Sequence, residues 1–348
     1  MAEYLPLVRR AAEAIRPYVV RTPLVPSRTF SERFGFPTYL KLENLQVTGA
    51  FKIRGAMNKV LALKQAGVRR VVAASSGSHA MGVSLAARIS GLEATIVMSE
   101  TSPPLKREKV RSYGARLVVE GRTFDDAYQV ALNLAAETGA SFISGIEDEE
   151  VMAGHGTMGL EIAEDLPEVD FVAIPVGGGG AISGLLMALK EGRRSVQVWG
   201  VQSDGAPSMK VSLDRGEVTT LPGIDTVADA IAVRRPGSRA FEMVRERGDG
   251  VTTVPDDRII ETVGVVALSE KLVCEPASAA VLAVDWPKVL SREPKAAVFV
   301  VTGGNITKEL LVTALEEASR AQAGPSRSPR RAGGGGDAQG AGGGAGVG

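Results

Sequence analysis

The chain predicts an α/β fold in which open, mainly parallel sheets carry helices on their faces. Three observations lead there. Short apolar runs rich in Val and Ile alternate with longer segments of helical period along nearly the whole sequence. Four glycine-containing loops each follow such a run and precede a helical segment, the arrangement found at the carboxyl edge of an open α/β sheet. No internal repeat of solenoid period competes with this reading.

Taken in order, the strands fall at 38–43, 70–74, 94–98, 115–120, 141–144, 170–176, 195–201 and 295–301. Helices fill most of the gaps. One begins at 56–63, just after the loop that carries Lys52. The segment 123–138 sets Phe124, Ala127, Tyr128, Ala131, Leu134 and Ala135 at helical spacing behind Asp125 and Asp126, whose charges suit a helix amino end. Pro255, Asp256 and Asp257 open another, with Ile259, Ile260, Val263, Val266, Ala267 and Leu272 as its apolar stripe. The uncharged stretch 171–189 reaches membrane-spanning length, yet Pro175 and four consecutive glycines make it strand, turn and helix. Residues 321–348 change to Gly, Ala, Ser, Pro and Arg, which bury too little apolar area to offset ordering, so this tail is expected to be disordered.

Composition removes several function classes. The 348 residues carry 40 Lys plus Arg against 40 Asp plus Glu, so nothing draws the chain as a whole to nucleic acid or an anionic membrane. Glu3, Arg9, Arg10, Glu13 and Arg16 interrupt the start, which therefore does not read as a secretory signal. The single cysteine, Cys274, has no partner for an internal disulfide, and a reducing, cytoplasmic setting is expected. With only His79 and His155 there is no HExxH pair, no Cys/His zinc set and no three-histidine site. A G-x-S-x-G nucleophile turn is also missing. What is left is a lysine, hydroxyls and loops suited to phosphate, the equipment for a cofactor whose own ring does the difficult chemistry.

The most informative loop is Gly177, Gly178, Gly179, Gly180 and Ala181, between a strand and a helix. Consecutive glycines let backbone approach an anion closely, and the helix that follows offers free N–H groups. The G-x-G-x-x-G spacing fails in every register, and G-x-x-x-x-G-K-[ST] is absent, although Asp204 after the next strand leaves a dinucleotide conceivable. Ser75, Ser76, Gly77, Ser78 and His79 form a second donor-rich loop at a helix start, read either as a carboxylate or phosphate cradle or as ordinary capping. Thr302, Gly303, Gly304 and Asn305 end the last strand, with Thr302 set to bond a ligand or the loop a plain glycine turn. In the fourth loop Lys52 stands near a helix start, where the dipole disfavours a cation; it is a solvated surface residue or an amine kept ready as a nucleophile.

TGAFKIRG, SSGSHA, PVGGGGAISG and VTGGN, in this order and spacing, resemble the fold type II pyridoxal phosphate enzymes, specifically the serine/threonine dehydratase (threonine ammonia-lyase) group. The resemblance extends over about 13–315 and includes KLENLQVTGAFKIRGAMNKV, TFDDAY, DTVADAIAVRRPG and GVQSD. It implies a tryptophan synthase β-like fold of two sheets, with a discontinuous large cofactor domain at 1–67 and 155–320 and a small domain at 68–154. It further implies pyridoxal 5'-phosphate as cofactor, held as a Schiff base by Lys52, with Phe51 against its ring and Gly177, Gly178, Gly179, Gly180 and Ala181 around its phosphate. Ser75, Ser76, Gly77, Ser78 and His79 would hold the substrate carboxylate, with Ser76 moving a proton on the face opposite Lys52, and Thr302 would face the pyridine nitrogen. A hydroxyl there, in place of a carboxylate, does not favour a protonated ring, which directs chemistry toward expulsion of a β-substituent.

The sequence departs from the family pattern at Ser78, where an asparagine would contact the cofactor's phenolic oxygen, and at Met81, where a glutamine is usual. Metal-binding relatives use acids at the positions of Gln202 and Ser208, so no metal site is expected. The resemblance implies a dehydratase of L-threonine and L-serine, acting on a small amino acid as a homodimer or homotetramer without a nucleic acid or membrane partner. Alternatives of the same fold stay open: a threonine synthase-like β-replacement enzyme, suggested by the wording CEPASAA at 274–280, or a serine racemase or hydroxy-amino-acid dehydratase.

Overall fold

The computed structural model describes residues 4–323 apart from 103 and 193–194. Its first half runs α1 (Leu5–Ile15), β1 (Leu24–Pro26), α2 (Arg28–Phe34), β2 (Thr38–Leu42), α3 (Lys52–Gln65), β3 (Arg70–Ala74), α4 (Ser78–Ser90), β4 (Glu93–Met98), α5 (Pro104–Ser112), β5 (Arg116–Val119), α6 (Phe124–Thr138) and β6 (Ser141–Phe142). The second half runs α7 (Glu149–Asp165), β7 (Phe171–Pro175), α8 (Gly180–Gly192), β8 (Gln197–Ser203), α9 (Ser208–Arg215), α10 (Ser238–Arg247), β9 (Gly250–Val254), α11 (Asp256–Val265), α12 (Pro276–Ala283), α13 (Trp286–Val289), β10 (Ala297–Val301) and α14 (Lys308–Ala323).

The strands form two sheets. A six-stranded sheet has the order β1-β2-β10-β7-β8-β9, parallel except for β1 against β2, and a four-stranded parallel sheet has the order β5-β4-β3-β6. Both are covered on two faces, as period-2 packing shows. Val172 and Ile174 of β7 join one core while Phe171 and Ala173 join the other; Val71 and Ala73 of β3 part in the same way from Val72 and Ala74. Helix α3 packs on both α4 and α7, and Gly82 of α4 lies against the Lys52 backbone, so the amino ends of α3 and α4 meet.

Eight strands lie where the sequence places them, and β1 and β9 are additions. Both are sheet edges with half-exposed residues, and β1 is three residues long with Pro23 and Pro26 at its ends. The helix expected through Leu272 stops as an α-helix at Val265 and continues as a π-helical turn, Val266–Glu270, closed by Lys271 at φ 60°. The tail expected to be disordered begins inside α14, which runs to Ala323; the remaining tail lies outside the described residues. Among the described residues no helix is long and apolar enough to cross a membrane.

Candidate active site

All four glycine-containing loops leave the carboxyl ends of strands β2, β3, β7 and β10. The first two-loop junction is sewn by backbone: Ala50 bridges to Gly303, and the Phe51 N–H donates to the Thr302 carbonyl at 3.0 Å. Gly49, at φ +72°, makes the turn that brings the chain there. Helix α3 then begins at Lys52 itself, four residues earlier than the apolar pattern indicates, so the amine stands on the first helical residue. Its Nζ lies 4.8 Å from the centroid of the Phe51 ring. Burial lowers the Lys52 pKa to about 8, against the pull of Glu275. The Phe51 ring meets the edge of the buried His155 imidazole at 4.7 Å, and that imidazole also reaches the Gly180 backbone. Burial, with Lys52 nearby, holds His155 well below the usual histidine range and therefore neutral.

The second loop wraps the amino end of α4. Ser75 Oγ accepts from the Gly77 N–H at 3.2 Å, and the first N–H groups of α4, from Ser78 onward, have no carbonyl within the helix. Ser75, Ser76, Gly77 and Ser78 are half-buried. The His79 ring instead turns inward, with Nε2 3.2 Å from the Ile143 carbonyl and its pKa lowered to about 4 by burial and Lys52. Only its backbone N–H is placed to serve an anion. Ser78 Oγ accepts from Asn305 Nδ2 at 3.2 Å, and Asn305 Oδ1 in turn accepts from Lys109 Nζ at 2.6 Å. The Ser78 replacement is thereby tied to the β10 loop and to α5 across the cleft.

The glycine loop between β7 and α8 is packed so that side chains have no room. A Cβ on Gly178 would come 2.5 Å from Ile146 Cγ2, one on Gly179 2.7 Å from the Ala240 Cβ, and one on Gly180 2.5 Å from the Gly145 carbonyl. Gly179 also needs φ +97°. The loop is a backbone-only surface.

At the end of β10, the Thr302 hydroxyl lies 3.1 Å from Ser278 Oγ. Ser278 Oγ also lies 2.8 Å from both the Gly303 carbonyl and the Gly303 N–H, and either hydroxyl of the Ser278–Thr302 pair can donate to the other. Beside them Glu275 is buried, and desolvation together with Asp229 raises its carboxyl to about 7, against the pull of Lys106, the Asn305 N–H and Lys52. Sequence reasoning gave no site role to Glu275, Ser278, Asn305 or Ser102. Their signal is three-dimensional: Glu275 and Ser278 meet the Thr302 loop, Asn305 of that loop meets Ser78, and Ser102 meets Ser76.

The model of the family described as pyridoxal-phosphate dependent enzyme matches residues 15–303. The chain belongs to this family. An L-threonine ammonia-lyase of Thermotoga maritima is 44% identical over 305 residues, which make 87% of this chain and 76% of the relative. The processed form of threonine deaminase isoform 2 from Solanum lycopersicum superposes with a TM-score of 0.85 at 32% identity, covering 91% of this chain and 93% of its own. Maize serine racemase gives 0.85 at 33% identity, covering 91% and 98%.

The cofactor of the family is pyridoxal phosphate, and the residues present fit it. The donor set contains an amine with depressed proton affinity, a backbone-only cradle at a helix amino end, and a hydroxyl rather than a carboxylate at the end of β10. Gln202 gives its amide to backbone, donating to the Val176 carbonyl at 3.1 Å and accepting from the Lys210 N–H at 2.9 Å. Among the described residues no cluster of three or more His, Cys, Asp or Glu is placed to hold a metal ion.

Glu275 supplies a test of the site's electrostatics. From its ordinary value of 4.5 up to about 7, the folded protein keeps a proton that the unfolded chain has released, so this group's contribution to stability falls as pH rises through that window. Glu275→Gln stays neutral throughout. In cofactor-free protein its unfolding midpoint relative to the parent is expected to climb between pH 5 and pH 7, by an amount on the order of 2 kcal/mol. A difference independent of pH would contradict the raised carboxyl.

Proposed function

We propose that the chain is an L-threonine and L-serine dehydratase, removing water and ammonia to leave a 2-oxo acid. The observation that carries this reading is the pairing of a deprotonatable Lys52 amine with a neutral hydroxyl at Thr302. The relatives named as threonine ammonia-lyase and threonine deaminase support the same substrate class.

When bound, the cofactor supplies an electron-withdrawing ring that acidifies the substrate's α-hydrogen. Lys52 holds the cofactor and, once freed, takes the α-proton at Nζ; a pKa near 8 leaves a useful neutral fraction at neutral pH. The backbone N–H groups at Ser75 to His79 hold the substrate carboxylate and fix which bond faces Lys52. Gly177, Gly178, Gly179, Gly180 and Ala181 take the cofactor phosphate, and Phe51, braced by His155, backs the ring. Thr302 carries no negative charge to stabilise a protonated ring, which favours departure of the β-hydroxyl. Substrate is enclosed between the small domain (68–154) and the large one, with Lys109 and Asn305 meeting across the cleft.

The reading is tested by separate incubations with L-threonine, L-serine and L-homoserine phosphate, with pyridoxal phosphate supplied. Oxobutyrate and pyruvate, each with equimolar ammonia, are expected from the first two. Threonine from the phosphate ester, with no oxo acid from either amino acid, would replace it with the β-replacement reading that the CEPASAA segment suggests.

A further inference from the structure

Below Ser76 runs a line of hydroxyls. Ser76 Oγ lies 2.7 Å from Ser102 Oγ, Ser102 Oγ 3.1 Å from Ser99 Oγ, and Ser99 Oγ 3.0 Å from Thr101 Oγ1. Thr101 Oγ1 then donates to the Arg122 carbonyl at 3.3 Å. Ser99 and Ser102 are only 6% and 5% exposed, whereas Thr101 is at the surface. The line starts at the cleft, crosses the interior and ends at water.

Its polarity follows from counting protons. Each hydroxyl has one to give, and a carbonyl can only accept. Thr101 gives its proton to Arg122, so it accepts from Ser99; Ser99 then accepts from Ser102, and Ser102 from Ser76. All four O–H bonds point outward, and Ser76 presents lone pairs to the cleft. The hydroxyls are not needed to shape the turn. The Ser102 N–H already bonds the Ser99 carbonyl at 3.0 Å, and Arg107 Nη2 donates to the Glu100 carbonyl at 2.5 Å.

We propose that Ser102, Ser99 and Thr101 are a proton relay joining Ser76 to solvent. An isolated serine is a poor acid or base in a half-buried site, because either charged form is costly there. The chain removes that cost. When Ser76 Oγ takes a proton from a substrate carbon, its own proton passes to Ser102 Oγ, that of Ser102 to Ser99 Oγ, that of Ser99 to Thr101 Oγ1, and that of exposed Thr101, turned away from the Arg122 carbonyl, to solvent. One proton enters, one leaves to solvent as hydronium or on buffer base, and the four hydroxyl oxygens end neutral; the reverse sequence delivers a proton. The proposal rests on the reading of Ser76 as the group facing substrate opposite Lys52, and the three hydroxyls act through it as positioning residues.

Two measurements test it. In a Ser76→Cys protein the introduced thiol titrates alone, because buried Cys274 is pushed up to about 12 and stays silent. Once the thiol has ionised, the Ser102 O–H can turn from Ser99 to donate to the thiolate; adding Ser102→Ala removes that donor, and alkylation by iodoacetamide at pH 7 is expected to slow about threefold or more. Ser102→Thr restores the rate, and Ser99→Ala, one link further away, shows a smaller slowing of the same sign. A rate indifferent to Ser102→Ala overturns the relay.

The second measurement follows solvent deuterium entering the α-carbon of D-serine, whose hydrogen faces Ser76, in cofactor-loaded enzyme. Loss of about a hundredfold is expected in Ser76→Ala and about tenfold in Ser102→Ala, with recovery in Ser102→Thr. No exchange in the parent, or full exchange in Ser76→Ala, overturns the reading of Ser76 and the relay with it. Loss in Ser76→Ala with full exchange in Ser102→Ala overturns the relay alone.

Discussion

Lys52→Ala is expected to cost at least about 10²–10⁴-fold in oxo acid release, the range lost with a positioned general base, while making the cofactor-free protein more stable. The two effects have one cause. The Lys52 amine is held at the positive end of α3, half-buried over Phe51, with no ion pair among the described residues to offset its charge. Its pKa of about 8, against an ordinary 10.5, means that below pH 8 the folded state carries a charge it disfavours. That penalty, on the order of 2 kcal/mol, is full below pH 8, shrinks from there to about pH 10.5 and then vanishes. Unfolding of cofactor-free parent and variant should therefore differ most at pH 7 and converge above pH 10.5. Borohydride treatment of the loaded proteins gives the functional half: covalent retention of the cofactor in the parent and none in the variant. Retained turnover, or a variant less stable than the parent at pH 7, would contradict the reading of this lysine as a strained, functional amine.

The parallel strands were legible because burial on both faces leaves a continuous apolar signature, as in 171–175 and 297–301. The strands β1 and β9 were not: β1 is three residues ending in Pro26, and β9 opens on Gly250 and carries two threonines, so neither holds an apolar run. Site loops were legible where chemistry is local: four glycines in a row, two serines before a glycine, a lysine after a turn. Contacts that close the site were hidden. Nothing in the spacing of Ser278 and Thr302, or of Ser76 and Ser102, says that their hydroxyls touch, because strand order, not sequence distance, brings them together. Similarly, the inward turn of His79 depends on Gly145, whose missing side chain leaves room for the ring.

The other large effect belongs to Arg54, two residues after the lysine and fully buried. Its Nε and Nη2 grip Glu43 at 2.9 and 2.8 Å, Nη1 and Nη2 grip Glu161 at 2.7 and 2.9 Å, Nη1 also reaches Thr157, and Nη2 shares its two hydrogens with the Val20 carbonyl as a third acceptor. Buried Lys41 completes the group with a 2.6 Å contact to Glu161, so two cations face two carboxylates. Such a network is not proof of net stabilisation, because desolvation opposes it, but opening it leaves buried charge behind. Arg54→Met strands Glu43 and part of Glu161, and a loss of about 3–5 kcal/mol in urea unfolding is expected. High salt should not rescue it, since counterions do not reach the buried carboxylates. Arg54→Lys keeps the charge yet loses the forked geometry, and should fall between parent and Arg54→Met. Adding Glu43→Gln to Arg54→Met removes one stranded charge and should recover part of the loss, a coupling that independent sites would not show. Because Arg54 sits on the first turn of α3, its loss also loosens the segment that aims Lys52. Catalysis in Arg54→Lys is therefore expected to fall by more than its stability alone explains.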